Sequence, residues 1–327
     1  MNLTTNYLGF TLPHPLIPGA SPLTFNLDSV QALLDAGAPM LIMRSLFEED
    51  IRIAHERKTN PNTPIPDYLS PTLTADPEDY LTRIEQIKNI TNVPVVASIN
   101  GSTPGGWIKY ATQAQNAGAD AIELNIYRIT TEHDLTSSDI QFEDIQIVSE
   151  LSRKLSIPLA VKITPFYTSL PAFVQALDEA GANAIVLFNR FFQPDIDIET
   201  RTLSYRLSPS TSDELNIRLR WLAILSPQTR SPLAATGGLH SHTDIIKAIM
   251  AGASVCQLVS TLMINQPTYL ASLLEQLSLW LEAHNISSLS EIRGCMNFNN
   301  IDEPRAYERG NYLQVLKNAA AKTSPPC

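Results

Sequence analysis

Four short segments of one pattern constrain this chain more than anything else in it. They are Asp35-Ala36-Gly37-Ala38, Asn116-Ala117-Gly118-Ala119, Glu179-Ala180-Gly181-Ala182 and Met250-Ala251-Gly252-Ala253. Each is followed by an apolar run: Met40–Met43, Ala121–Leu124, Ala184–Leu187 and Val255–Val259. The pattern reads as a helix ended by glycine at its C′ position, where positive φ costs nothing. A short loop and a buried parallel strand, apolar on both faces, then follow.

The four glycines lie roughly 60 to 80 residues apart, and one strand–helix unit of a compact barrel takes roughly 30–40, so each gap holds two units. The strands between open at a proline, which is tolerated at a strand's first residue. They are Pro15-Leu16-Ile17, Pro94-Val95-Val96-Ala97-Ser98-Ile99, Pro158-Leu159-Ala160-Val161-Lys162 and Pro232-Leu233-Ala234-Ala235. Interleaving the two sets gives β1 (15–17), β2 (40–43), β3 (94–99), β4 (121–124), β5 (158–162), β6 (184–187), β7 (232–235) and β8 (255–259). Helical stretches separate them, including Ser29–Ala36, Gly106–Ala117, Phe142–Leu155, Leu170–Ala180 and His242–Ala251.

Strands alternating with periodic helices mean an α/β fold with a parallel sheet. Evenly spaced units without a break predict one (β/α)8 barrel of TIM type over residues 1–327, with an open doubly wound sheet as the rival. Residues 3–13 are expected to form a cap hairpin at the barrel bottom. Ile196–Arg206 alternates around Glu199-Thr200 and predicts a hairpin inserted after β6. The proline-rich Thr59–Pro71 reads as a long functional loop after β2.

A content of 44% hydrophobic and 17% charged residues suits a large core. The net charge of −10, with no Lys- or Arg-rich run, argues against a nucleic-acid partner. No signal-peptide pattern and no bilayer-length apolar run are visible, so a cytoplasmic protein without a membrane partner is expected. Cys256, Cys295 and Cys327 have no metal or iron–sulfur spacing and are expected to be inert.

Chemistry in such barrels sits at the C-terminal ends of the strands. Reading those ends in order gives Gly19-Ala20-Ser21, Arg44-Ser45, Asn100-Gly101, Asn125, Lys162, Asn189-Arg190, Thr236-Gly237-Gly238 and Ser260-Thr261. Gly237-Gly238 and Ser260-Thr261 follow β7 and β8, the usual phosphate position of the fold, although a tight turn would also explain the glycines. Lys162 stands in an otherwise apolar strand, so it is either a rim ion pair or a desolvated functional group. Three asparagines around one mouth suggest donors and acceptors for a flat heteroaromatic cofactor.

The ordered set resembles the class 1 dihydroorotate dehydrogenase family, which binds FMN in a β/α barrel. The resemblance runs from Tyr7-Leu8-Gly9 through Ala20-Ser21, Ser98-Ile99-Asn100-Gly101, Glu123-Leu124-Asn125, Val161-Lys162 and Thr236-Gly237-Gly238-Leu239 to Val259-Ser260-Thr261. It implies that Ala20, Ser21, Ser45, Asn100, Asn125 and Lys162 contact the isoalloxazine and ribityl part of FMN. Gly237, Gly238, Ser260 and Thr261 would hold its phosphate. An ammonium about 4 Å from charge gathered on reduced flavin is worth on the order of 4 kcal/mol before desolvation.

The substrate half departs from the family. The segment after β4 reads Asn125-Ile126-Tyr127-Arg128-Ile129-Thr130, which places Arg128 where the family keeps a Cys or Ser base. A guanidinium cannot accept a proton at neutral pH. Tyr127 could serve as acid or base only with a lowered pKa. Arg44 replaces the family's lysine after β2, the family's substrate loop has no counterpart in 45–79, and Asn189 matches its substrate asparagine. Catalytic roles are therefore expected among Arg128, Tyr127 and Lys162, and substrate binding by Arg44, Asn125 and Asn189.

The reading is an FMN-dependent oxidoreductase passing a hydride between a small, anionic substrate and flavin N5, with Arg44, Arg128 and Arg190 supplying positive charge. The electron acceptor is unknown, and a homodimer is compatible with the resemblance. Alternatives are a flavin-binding protein without dehydrogenase chemistry, a true dihydroorotate dehydrogenase of pyrimidine biosynthesis, and a flavin-free phosphosugar isomerase or aldolase using Lys162 as a Schiff-base lysine.

Overall fold

A computed structural model describes residues 1–60, 76–101, 107–126, 128–190, 193–204, 208–308, 312, 315, 316 and 318. Tyr127, Arg206, Cys327 and most of the Thr59–Pro71 segment lie outside them.

Among the described residues, eight parallel strands form the barrel: β1 (Leu16–Pro18), β2 (Leu41–Ile42), β3 (Val95–Asn100), β4 (Ala121–Asn125), β5 (Leu159–Ile163), β6 (Ala184–Leu187), β7 (Leu233–Thr236) and β8 (Val255–Leu258). They are hydrogen-bonded in the order β1-β8-β7-β6-β5-β4-β3-β2. β1 and β2 pack against each other without a ladder, so closure there is by side chains. A short strand at Leu46–Phe47 extends the β2 edge, pairing with Ile99 and Asn100 of β3.

The helices are α1 (Leu27–Asp35), α2 (Glu48–Thr59), α3 (Pro77–Ile90), α4 (Trp107–Asn116), α5 (Ser137–Lys154), α6 (Leu170–Ala180), α7 (Leu215–Leu225), α8 (His242–Ala251), α9 (Ser260–Asn265) and α10 (Tyr269–Ala283). The glycines of the repeat behave as expected: Gly181 and Gly252 cap α6 and α8 with φ of 103° and 119°. α5 starts five residues before the expected Phe142, because Thr136 and Asp139 form a reciprocal capping box at its N-terminus. α2 and α3 flank the proline-rich segment, of which only Thr59, the last residue of α2, and Asn60 are among the described residues.

Strand periodicity explains how an apolar core gives way to a polar mouth. Alternate residues face inward, which sets Val96, Ser98 and Asn100 of β3 on one line. Ala121, Glu123 and Asn125 of β4 form the next, and Ala160, Lys162 and Thr164 the next. The lowest layer is apolar: Ile17, Ile42, Val96, Ala121, Ala160, Ala184, Ala234 and Val255 cluster with Tyr7, Leu8 and Leu12. Those last three come from the expected N-terminal hairpin, Thr5–Tyr7 paired with Phe10–Leu12. Four alanines in the layer leave the space that Tyr7, Leu8 and Leu12 fill, so the hairpin is a stopper in the barrel's lower end.

The outward strand residues and the inner faces of the helices form a second core that includes Leu41, Ile99, Leu124, Val161, Phe173 and Leu277, all at most 1% exposed. The inserted hairpin after β6 is also present, Asp195–Asp197 with Thr202–Ser204, and carries exposed Ile196, Ile198 and Leu203.

Candidate active site

Above the apolar layer the barrel axis holds ionic and amide side chains. Glu123, fully buried on β4, accepts a hydrogen bond from Gln257 Nε2 of β8 at 2.6 Å, and Lys162 Nζ of β5 lies 3.4 Å from its other oxygen. Gln257 is itself fully buried and Lys162 is 7% exposed. The Glu123 carboxylate is thus held from both sides and gives the Lys162 ammonium a buried counter-charge.

A second chain of polar groups crosses the β2–β4 side. The Ser45 hydroxyl lies 2.8 Å from the Ser98 hydroxyl, which accepts from Asn125 Nδ2 at 2.8 Å. Asn125 Nδ2 also reaches the Ile99 carbonyl at 3.2 Å. Beneath them, the Tyr80 hydroxyl of α3 donates to the Ser98 carbonyl and accepts its N–H, and burial pushes that phenol well above its usual range. Asn100 pairs in register with Asn125 and is half-buried at the end of β3.

One cavity of about 140 Å³ opens at the C-terminal ends of β5 to β8. Ala20, Lys162, Asn189, Gly237, Gly238 and Ser260 of the expected site line it together. Ser21 is buried at the N-terminus of a short 3-10 turn, and Thr261 is fully buried with its hydroxyl near Asn265 Nδ2; neither forms part of the cavity wall. Gly237 and Gly238 have φ of 86° and 78°, a region open to glycine.

Packing also demands those glycines. A Cβ on Gly238 would stand 2.4 Å from the Leu215 backbone nitrogen, and one on Gly237 would stand 2.8 Å from Arg218 Nη2. Arg218, 5% exposed on α7, donates from Nε to the Thr236 carbonyl at 2.8 Å and from Nη1 to the Glu214 carbonyl at 2.6 Å. A buried positive charge therefore sits directly under the glycine loop. The Gly238 N–H reaches Ser210 Oγ at 3.3 Å, and the Ser210 N–H reaches Ser260 Oγ at 3.0 Å.

The three arginines of the mouth have separate surroundings. Arg190 donates to the carbonyls of Ser208 and Pro209 and pairs with Glu214 at 3.0 Å. Arg128 pairs with Glu143 of α5 at 2.6 Å and lies 3.9 Å from buried Asp144. It lines a separate cavity of about 420 Å³ with Thr164, Phe166 and Tyr167, and not the one containing Lys162. Asp144 accepts from the Tyr167 hydroxyl at 2.9 Å, and burial raises its carboxyl to about 6. Arg44 is half-buried, 5.8 Å over the Phe25 ring, and forms no salt bridge among the described residues.

Ala20, Lys162, Asn189, Gly237, Gly238 and Ser260 thus converge, Ser45, Asn125 and Asn100 form a neighbouring polar chain, and Arg128 stands apart. Glu123, Gln257, Arg218 and Ser210 were missed from sequence. The signal for the first two was available: a Glu and a Gln within apolar strands carry the same anomaly as Lys162. Burial pushes the Cys256 thiol up to about 12, consistent with an inert residue. No group of three His, Cys, Asp or Glu able to hold a metal occurs among the described residues, and none of their helices is long and apolar enough to cross a membrane.

Residues 74–281 match the family model described as dihydroorotate dehydrogenase, which covers more than half of the chain. The chain belongs to the dihydroorotate dehydrogenase family. Relatives include the catalytic subunit of dihydroorotate dehydrogenase B (NAD(+)) of Shouchella clausii, 27% identical over 212 residues, 62% of this chain and 68% of the relative. The corresponding subunit of Petrotoga mobilis is 28% identical over 210 residues, 63% and 70% of the two chains. Dihydroorotate dehydrogenase A (fumarate) of Limosilactobacillus reuteri is 25% identical over 213 residues, 63% and 68%. The match takes in β3 to β8 and the whole glycine loop; the dihydroorotate dehydrogenase family thus accounts for the barrel and for an oxidoreductase class.

Proposed function

We propose that this chain is an FMN-dependent oxidoreductase of dihydroorotate dehydrogenase type, acting on a small anionic substrate at the barrel mouth. The observation that carries it is the convergence of Lys162, Asn189, Gly237, Gly238 and Ser260 on one cavity in a member of this family. That donor set suits FMN: an ammonium and amides for a ring's polar edge, with hydroxyl and backbone donors over a buried arginine for a phosphate. FMN bound there would supply the two-electron chemistry, held by Ala20, Asn100, Asn125 and Lys162 at one end and Gly237, Gly238 and Ser260 at the other.

The chain's own groups do the rest. Glu123 pairs with Lys162 and fixes its direction. Ser45 and Ser98 orient the Asn125 amide, so its carbonyl oxygen is presented without a search among rotamers. Of the three mouth arginines, Arg128 and Arg190 already face carboxylates, which leaves Arg44 to offer charge to an anionic substrate. Asn189 supplies an amide on the wall of the cavity that contains Lys162. Near the family's base position, the group able to hold or release a proton close to neutrality is Asp144, with Tyr167 bonded to it.

The test is purification, extraction and identification of the bound cofactor, then anaerobic addition of candidate substrates. FMN that bleaches with a small carboxylate supports the reading. A protein that stays colourless after reconstitution with FMN overturns it. The ion pairs of Arg128 favour one second reading, a flavin-binding protein without dehydrogenase chemistry; it predicts bound FMN that no candidate substrate bleaches. Turnover of dihydroorotate would instead identify an enzyme of pyrimidine biosynthesis, despite the replaced base.

A further inference from the structure

The other end of the barrel holds a cavity that the proposed reaction does not use. It measures about 540 Å³ and lies between the stopper hairpin, the loops entering β6, β7 and β8, and residues 293–297. Arg230 and Arg293 line it together with the amides of Asn6, Asn183 and Asn297. No carboxylate is among the described residues lining it, and neither arginine forms a salt bridge among them. In a chain of net charge −10, two guanidinium groups on one concave wall are a local reversal of sign, and the neighbouring Asp178 carboxylate is engaged by the Arg230 N–H and the Thr229 hydroxyl rather than by either guanidinium.

The hydrogen bonds of the lining sharpen this. Asn6 Oδ1 accepts from the Thr11 hydroxyl, Asn183 Oδ1 from the Leu159 N–H, and Asn297 Oδ1 from the Asn299 N–H. In all three amides the acceptor is engaged by the protein, and the amide nitrogen is the group left to offer. Arg293 is held in place by Nη2, which donates to Thr5 Oγ1 at 2.8 Å, while its Nε is buried without an acceptor. The Thr5 hydroxyl is itself committed to the Ser254 carbonyl. The thiol of Cys256 near Arg293 stays neutral and brings no counter-charge.

Two guanidinium groups and amide N–H donors on a wall whose described lining residues include no carboxylate select against cations. They favour an oxyanion with several equivalent oxygens, which planar guanidinium groups engage in pairs. We infer that this cavity is a second ligand site, separate from the mouth, for a small phosphate-bearing anion. It goes beyond the proposed oxidoreductase reading and does not depend on it.

Titration calorimetry with pyrophosphate and with inorganic phosphate, on the protein as purified, tests the site. Saturable binding of pyrophosphate is expected, weakened at least tenfold by Arg230→Gln and by Arg293→Gln. Arg220→Gln, at an exposed position on α7, should leave it unchanged. Because Arg293 also anchors Thr5, Arg230→Gln, whose side chain is exposed, keeps the test independent of folding. Absence of binding, equal loss in the Arg220→Gln control, or binding indifferent to both pocket variants would each overturn the inference. Flavin absorbance followed in the same variants separates this site from the mouth: it should not change.

Discussion

Lys162 and Glu123 form an ion pair inside the barrel, with the carboxylate fully buried and anchored on its far side by Gln257. Removing one member of such a pair leaves an uncompensated charge, which costs about 3–5 kcal/mol. Glu123→Gln should therefore lower stability to urea by that amount. Adding Lys162→Met should recover part of it, so that the two changes are strongly non-additive. Additive losses in a double-mutant cycle would mean that the pair is not coupled. If FMN is bound as proposed, Lys162→Met should also lower its midpoint potential by several tens of mV, since about 30 mV corresponds to 1.4 kcal/mol for two electrons.

The two glycines after β7 should differ in how much they tolerate. Gly237→Ala forces a methyl group into positive φ at about 1–2 kcal/mol, while the Arg218 fork can move aside. Gly238→Ala adds a collision with the Leu215 backbone, which cannot move without shifting α7. Thermal unfolding should rank Gly238→Ala well below Gly237→Ala. Equal midpoints would show that the loop is freer than its contacts imply.

Arg218 supports the same loop from beneath. Arg218→Met leaves the Thr236 and Glu214 carbonyls without the guanidinium, each such bond being worth about 1.5–3 kcal/mol. The variant should lose stability and, as a positioning effect, retain bound flavin at least tenfold less well while Lys162 stays in place. Arg218→Lys, with charge but no fork, should restore only part of that retention. Full flavin retention in Arg218→Met would remove Arg218 from any role in the mouth.

Asp144 gives stability a pH dependence opposite in sign to that of ordinary carboxylates. Burial raises its pKa from 3.8 to about 6, so the folded state holds this proton more tightly than the unfolded chain does. The contribution is complete below about pH 4 and is lost as pH rises through about 6, amounting to about 3 kcal/mol. Asp144→Asn keeps an acceptor for Tyr167 and should abolish this loss. The measurement is the difference in urea stability between wild type and Asp144→Asn at pH 4 and pH 8. A difference that does not change with pH would exclude the buried carboxyl as its source.

The architecture was readable because its signals are local. Gly37, Gly118, Gly181 and Gly252 all take positive φ, and each marks where a helix stops and a strand begins. The register of the repeat then fixes where each strand ends, and Lys162, Asn125 and Gly238 could be placed from it. What escaped depends on contacts across long sequence separations. Nothing near Gly237 in the chain announces Arg218, and the bond between Gln257 and Glu123 spans 134 residues. Arg128 was aligned with the family's base by position, but its actual neighbours, Glu143 and Asp144 of α5, are brought to it by tertiary packing that sequence position does not announce. Tyr127, weighed beside it, lies outside the described residues.

The stopper hairpin also sets the order of events when the protein is made. Thr5 bonds to the Ser254 carbonyl across 249 residues, and Tyr7 packs in one layer with Val255. Residues 5–12 leave the ribosome long before the strand that completes their pocket exists. Their apolar faces must wait while those 249 residues are made, at about 5–20 residues per second, before they can be covered. The barrel's lower end thus cannot be sealed before β8 has been made, and until then the hairpin's apolar face needs other cover.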